Sequence, residues 1–140
     1  MRDPDRVADP LAWFASGAPD REPGALPPHY PTCFGCGPDA EAGLHLVVRL
    51  EGEEVVADYA FAPRHSGAPG IAHGGAVSAL ADDLLGYALY VLREPGVTRR
   101  LEVDFLQPVL IGTTYAVRGR VDRHFAQTFA SAVLLATVGA

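Results

Sequence analysis

Apolar positions along the chain follow two rhythms. Two strand-like runs, Leu44 to Leu50 and Glu54 to Phe61, flank "EGEE", where Gly52 marks a turn, so a β-hairpin is predicted. Ala76 to Leu92 then runs without a proline and is rich in Ala and Leu, until Pro95 and Gly96 in "REPG" break it. That pattern predicts one long helix. Beyond it, "VTRRLEVDFLQPV" alternates Leu101, Val103 and Phe105 against Arg100, Glu102 and Asp104, the period of a half-buried strand. "TYAVRGRVDRH" repeats the pattern, with Tyr115, Val117 and Val121 against Arg118, Arg120 and Asp122. If these two strands pair, their outward charges oppose one another, and cross-strand ion pairs are the expected use of the arginines.

Hairpin, long helix, then successive strands make an α+β chain with one helix on one face of an antiparallel sheet. The helix is apolar almost all round. Leu80, Leu84, Ala88 and Leu92 form one stripe, while Val77, Ala81, Leu85, Leu89 and Val91 fill others. A sheet must therefore curl around it, or a partner chain must cover what remains.

Length and composition narrow this further. The 140 residues suit one domain with a real core. Seven of the twelve prolines lie at or before Pro31, so residues 1–30 read as a Pro-rich, poorly ordered extension, with a short helix near Leu11 to Ser16 and Trp13 and Phe14 to dock it; residues 31–140 form the domain. A net charge of −6, with the basic residues scattered, argues against a nucleic-acid partner. No apolar run reads as a signal peptide or a membrane span, so no membrane partner and a cytoplasmic setting are expected.

The stretch "PGIAHGGAVSALADD", Pro69 to Asp83, carries the candidate chemistry. A helix N-terminus presents unpaired N–H groups and the positive end of the macrodipole, and glycines there let a ligand oxygen approach, which suits a developing oxyanion. Asp82 lies eight residues after Gly74, about 12 Å along a helix axis, so one carbonyl carbon cannot touch both in one chain. Two antiparallel helices of a twofold dimer would bring Asp82 of one copy to Gly74 of the other. Of the two acids, Asp82 has Ser78 and Gly86 one turn away, whereas Asp83 has Ala79 and Tyr87, so the Asp82 face leaves more room for a substrate.

"HGGAVSALAD", His73 to Asp82, resembles the signature of hotdog-fold acyl-CoA thioesterases of the phenylacetic-acid-degradation (PaaI-like) type. "CFGCGPDAEAGLHL" is similar to the N-terminal motif of one branch of that family, and "VTRRLEVDFLQPVLIG" resembles its strand after the helix; together the likeness covers roughly residues 31–123. It implies a hotdog fold, a curved antiparallel sheet wrapped around the helix, in a homodimer or dimer of dimers with shared active sites. It further implies that Gly74 polarises the thioester carbonyl, that Asp82 of the other subunit is general base or nucleophile, and that Thr98 helps hold the attacking water. His73 would be a structural hydrogen-bonding residue at the helix start, and Gly75 would keep the approach clear. Ser78 and Arg99 are further candidates for substrate contact. Relatives carry an Asn or Gln in the loop before His73; here "RHSGAPGIA" offers His65 as the substitute and Ser66 beside it. They also usually add a strand after the segment corresponding to "TFASAVLLATVGA", with which this sequence stops.

The substrate implied is an acyl-CoA, with no cofactor beyond the coenzyme A it carries. Tyr87, Tyr90 and Phe105 are candidates for an acyl pocket, though such residues more commonly fill cores. Two other functions stay open: a non-catalytic acyl-CoA sensor, which has no use for a carboxylate beside the thioester carbon, and an enoyl-CoA hydratase or dehydratase, which would use the acid with a His. Cys33 and Cys36 form a C-x-x-C with His29 and His45 nearby, yet the irregular spacing gives no clear four-ligand set. No metal site is expected, and the two thiols are read as small buried groups in a tight glycine turn.

Overall fold

The computed structural model describes residues 24–91, 97–124 and 127–136. The expected helix near Leu11, the docking of Trp13 and Phe14, and the helix stop at Pro95 and Gly96 lie outside the described residues.

Strands β1 (Gly24–Ala25), β2 (Arg49–Glu51), β3 (Glu54–Ala60), β6 (Thr114–His124) and β7 (Gln127–Ala136) form one antiparallel sheet in the order β1-β2-β3-β6-β7. A small second sheet pairs β4 (Ser66–Ala68) with β5 (Ile71–Ala72), and helix α1 (Gly74–Val91) follows directly. The helix covers the predicted segment as far as Val91 and starts two residues earlier than its apolar run. Among the described residues no helix is long and apolar enough to cross a membrane.

The expected hairpin is present in β2 and β3, turned at Gly52 with φ near 61°. Its first arm enters the ladder late. Leu44, Leu46, Val48 and Leu50 are buried in strict alternation, as the period-2 pattern requires. Yet Leu44 and Leu46 donate their N–H groups to Phe34 and Gly35, and His45 between them sits in the left-handed region at φ 55°. The residues of the "CFGCG" turn thus occupy the edge that a longer β2 would need.

α1 lays Val77, Leu80, Leu84 and Ala88 on the sheet, against Val55, Ala57 and Tyr59 of β3 and Tyr115 and Val117 of β6, within one core. Gly119 in β6 makes this close approach feasible, since a Cβ there would lie 3.0 Å from Val55 and 3.3 Å from Leu84. β6 follows its predicted pattern, with Tyr115 and Val117 buried and Arg118 and Arg120 exposed.

The second predicted strand of that region is not formed. Residues 97–109 join no ladder, and the chain makes only an isolated bridge at Leu110 to Ile71. Alternation specifies a face to be buried, but it cannot provide a neighbouring edge, and none of the described residues supplies one. Phe105 is consequently 59% exposed and Leu106 88%. The outward arginines change partner accordingly: Arg118 pairs with Glu54 of the adjacent β3 at 2.9 Å, while Arg100 and Arg120 pair along their own segments with Glu102 and Asp122. Residues 24–30, upstream of the expected domain, pack on it through β1 and the buried His29.

Candidate functional site

The N-terminus of α1 is held from both sides. His73 N–H donates to His65 O at 2.7 Å, and Ala72 N–H to Val109 O at 2.8 Å. His73 caps the helix: its carbonyl accepts from Ala76 and Val77, and its Nδ1 accepts the Gly75 N–H at 2.8 Å. A Cβ at position 75 would lie 3.0 Å from that Nδ1, so the second glycine leaves space for the capping ring. The Gly74 N–H donates to no group among the described residues, and the first turn carries no acidic residue to offset the helix dipole. The Phe105 ring stands beside Gly74, 3.4 Å from where a Cβ would be.

Ser78 turns its hydroxyl back on Gly74 O at 2.8 Å. One turn further along, Asp82 is half-exposed, and the Thr98 hydroxyl donates to its Oδ1. The structure therefore joins the predicted acid to the predicted water-holding residue, although sixteen positions separate them. Arg99 is exposed beside Thr98.

His65 is buried at the end of a 3-10 turn, Pro63–His65. Its Nδ1 accepts the Ala62 N–H at 3.2 Å and its Nε2 lies 3.3 Å from Gly43 O, so both ring nitrogens brace the loop and neither is left for substrate. Burial pushes its pKa below the ordinary histidine range. Tyr87 is a core residue whose ring lies 4.0 Å from that of His29, not a wall of an open pocket.

Asp83, turned to a different side of the helix from Asp82, has a side chain only 9% exposed. Its Oδ1 lies 3.1 Å from His29 Nδ1 and accepts from the Cys33 thiol at 3.3 Å; Cys36 Sγ is 3.3 Å from the same imidazole nitrogen and accepts the His29 N–H at 3.2 Å. Burial raises the Asp83 carboxyl above its usual range, with His29 acting against this. Burial by itself would lower the His29 pKa, but Asp83 and Cys33 outweigh it and carry it up to about 9. Cys33 is drawn down to about 3, foremost by Cys36 beside it, whose own thiol is pushed up. His45 takes no part; its Nε2 lies 2.6 Å from Ala40 O.

Sequence reasoning grouped Cys33 and Cys36 with His29 and His45 and set the group aside; it missed Asp83 as the fourth member because His29 and Asp83 are 54 residues apart. One signal was available: an apolar helix carrying two adjacent acids cannot present both to the same side, and the one turned inward needs partners.

With this geometry in place, the chain can be set beside known proteins. Residues 69–134 match the family model of the thioesterase superfamily. The Pseudomonas aeruginosa protein described as "Putative esterase PA0474" is 36% identical over 93 residues, which is 64% of this chain and 61% of that protein. The crystal structure of RHA08564, a thioesterase superfamily protein, superposes with a TM-score of 0.74 at 20% identity, covering 97% of this chain and 65% of that one. The Escherichia coli PaaI protein from the phenylacetic acid degradation operon gives a TM-score of 0.52 at 22% identity over 61% of this chain and 67% of its own. The chain thus spans less than two thirds of the length of the first two. The fold they share with it is the hotdog: one central helix against a curved antiparallel sheet.

Proposed function

We propose that the chain hydrolyses an acyl-CoA thioester to a free acid and coenzyme A, at sites shared between two copies. The observation that carries this reading is the Thr98 to Asp82 hydrogen bond, which joins a hydroxyl to a half-exposed carboxylate on a small-residue helix face. Gly74 offers its N–H to the thioester oxygen, where negative charge develops. Asp82 of the other copy takes a proton from water that Thr98 helps to orient, and the hydroxide attacks the carbonyl carbon; the tetrahedral intermediate then expels the thiolate of coenzyme A. The reaction needs no metal or further cofactor, because a backbone amide and a carboxylate meet its charge and proton demands. His73 holds the amide in place as a cap, and Phe105 is the side chain closest to Gly74 that can meet the acyl group.

The match of residues 69–134 to the thioesterase superfamily supports the reaction class, and the capped glycine amide with the Thr98-bonded acid supports these residues in their roles. The test is a panel of aliphatic and aryl acyl-CoAs with thiol release as readout, run on wild type and Asp82→Asn. Wild type should turn over at least one member, and Asp82→Asn should lower kcat by about a hundredfold or more with the fold intact, the usual size of a lost proton acceptor. A single turnover in ¹⁸O-water identifies a nucleophile where water opens the mixed anhydride at the Asp82 carbon: the product then carries an unlabelled Asp82 oxygen and the label stays on Asp82, whereas a base leaves Asp82 unlabelled. Tight binding of acyl-CoA without turnover of any member would replace this reading by the sensor.

A further inference from the structure

The thiols of Cys33 and Cys36, the imidazole of His29 and the carboxylate of Asp83 each offer one ligand atom, and these four atoms lie within 4.8 Å of one another. We propose that they form a closed zinc site that fastens the "CFGCG" turn to α1, directly behind the Asp82 face.

The distances suit such a site. Zinc bonds of about 2.0 Å to nitrogen or oxygen and about 2.3 Å to sulfur give a tetrahedron with edges of roughly 3.3–3.8 Å. Three edges of the cluster already measure 3.1, 3.3 and 3.3 Å. Thiolates with an imidazole and a carboxylate are a donor set that favours zinc over the hard, oxygen-seeking cations. Four protein ligands leave no open coordination position, so the ion's role is structural, separate from the hydrolysis.

Surrounding backbone prepares the same place. The Asp83 side chain is only 9% exposed, and its Oδ2 has no hydrogen-bond partner among the described residues. A buried carboxylate with one oxygen unsatisfied is costly, and a cation between it and the thiolates would remove that cost. The His29 amide is directed at Cys36 Sγ at 3.2 Å, a supporting contact of the kind that orients a thiolate ligand. Glycines keep the space open: a Cβ at position 35 would fall 2.2 Å from Asp83 Cγ, and one at position 86 would fall 3.2 Å from His29 Cε1. Gly37 lets the turn close, its N–H donating to Cys33 O at 2.8 Å where a Cβ would strike the Cys33 backbone at 2.4 Å. Two thiolates, one carboxylate and a neutral imidazole leave one net negative charge on the ion and its ligands.

The test is metal analysis of protein purified without chelators and without a metal-affinity step. About one zinc per chain is expected in wild type and in Asp82→Asn, against less than about a tenth of that in Cys33→Ser/Cys36→Ser. Cobalt added to metal-free wild type should give the visible bands of a tetrahedral ion and a thiolate charge-transfer band, both absent from the double variant. If the double variant does not fold, wild type stripped by a strong chelator should lose thermal stability and regain it with one equivalent of zinc. Folded wild type with no zinc and no cobalt spectrum overturns the proposal. Zinc retained in full by the double serine variant overturns it equally.

Discussion

At the scale of single residues, neighbours in sequence take on opposite tasks because a helix turns them about 100° apart. Asp82 meets solvent and Thr98, while Asp83 meets His29 and the two thiols. The sequence argument separated Asp82 from Asp83 by the residues at i−4 and i+4, which lie on one helix and are legible without the rest of the fold. It missed Asp83's partners, which arrive from a distant loop. His65 shows the complementary error: a polar residue in the right loop reads as a ligand contact until both its nitrogens are found on backbone groups. That burial has a consequence in pH. With a folded pKa held below the unfolded value of 6.5 by burial, and further by Arg64 and His45, His65 takes up a proton more readily in the unfolded chain. Its neutral form is therefore stable above about pH 6.5, and stability is lost as pH falls through that value toward the folded pKa. His65→Gln can keep both backbone contacts without titrating. The Tm advantage of wild type over His65→Gln should shrink between about pH 7.5 and pH 5.5; a constant difference across that range would exclude His65 as a source of the slope.

At the scale of elements, legibility followed how much of each element's environment is local. α1 was legible because its apolar run is long, and β6 because buried and exposed sides alternate along it. The segment 97–109 carries the same alternation yet forms no ladder, since pairing depends on an edge that its own residues cannot encode. The first arm of the hairpin fails partially for a related reason, with the turn at Phe34 and Gly35 taking its hydrogen bonds. Such exposed pairs as Arg118 with Glu54 contribute little, about 0–1 kcal/mol each, so the union of helix and sheet rests on packing. Leu84 is the most enclosed contact of α1, fully buried and seated at Gly119 where β6 presents no side chain. Leu84→Ala should cost about 3–5 kcal/mol in equilibrium unfolding, because the backbone of β6 cannot collapse into the space. A loss below about 1 kcal/mol would mean that the helix repacks on the sheet with ease.

At the scale of the molecule, two separate observations support the proposal of a second copy. The Gly74 amide and Asp82 sit at opposite ends of about 12 Å of one helix, and residues 97–110 hold Phe105, Leu106 and Leu110 out toward solvent, with 97–109 in no ladder among the described residues. On the proposed mechanism the first leaves a single chain with half a site at each place; the second gives a surface whose burial would offset the entropy of association. If the halves are exchanged between two copies, defects in different halves must complement. Gly74→Pro removes the proposed oxyanion donor at the first helical position, where proline is tolerated, and Asp82→Asn removes the proton acceptor. Each variant should be nearly inactive alone. In a mixed dimer one site inherits both defects, while the other combines the intact Gly74 of one chain with the intact Asp82 of its partner. Random exchange of equal amounts should therefore restore about a quarter of wild-type activity, with light scattering reporting dimers or dimers of dimers throughout. Two variants that exchange subunits freely and recover nothing would place donor and acid in the same chain, and the shared-site mechanism would have to be abandoned.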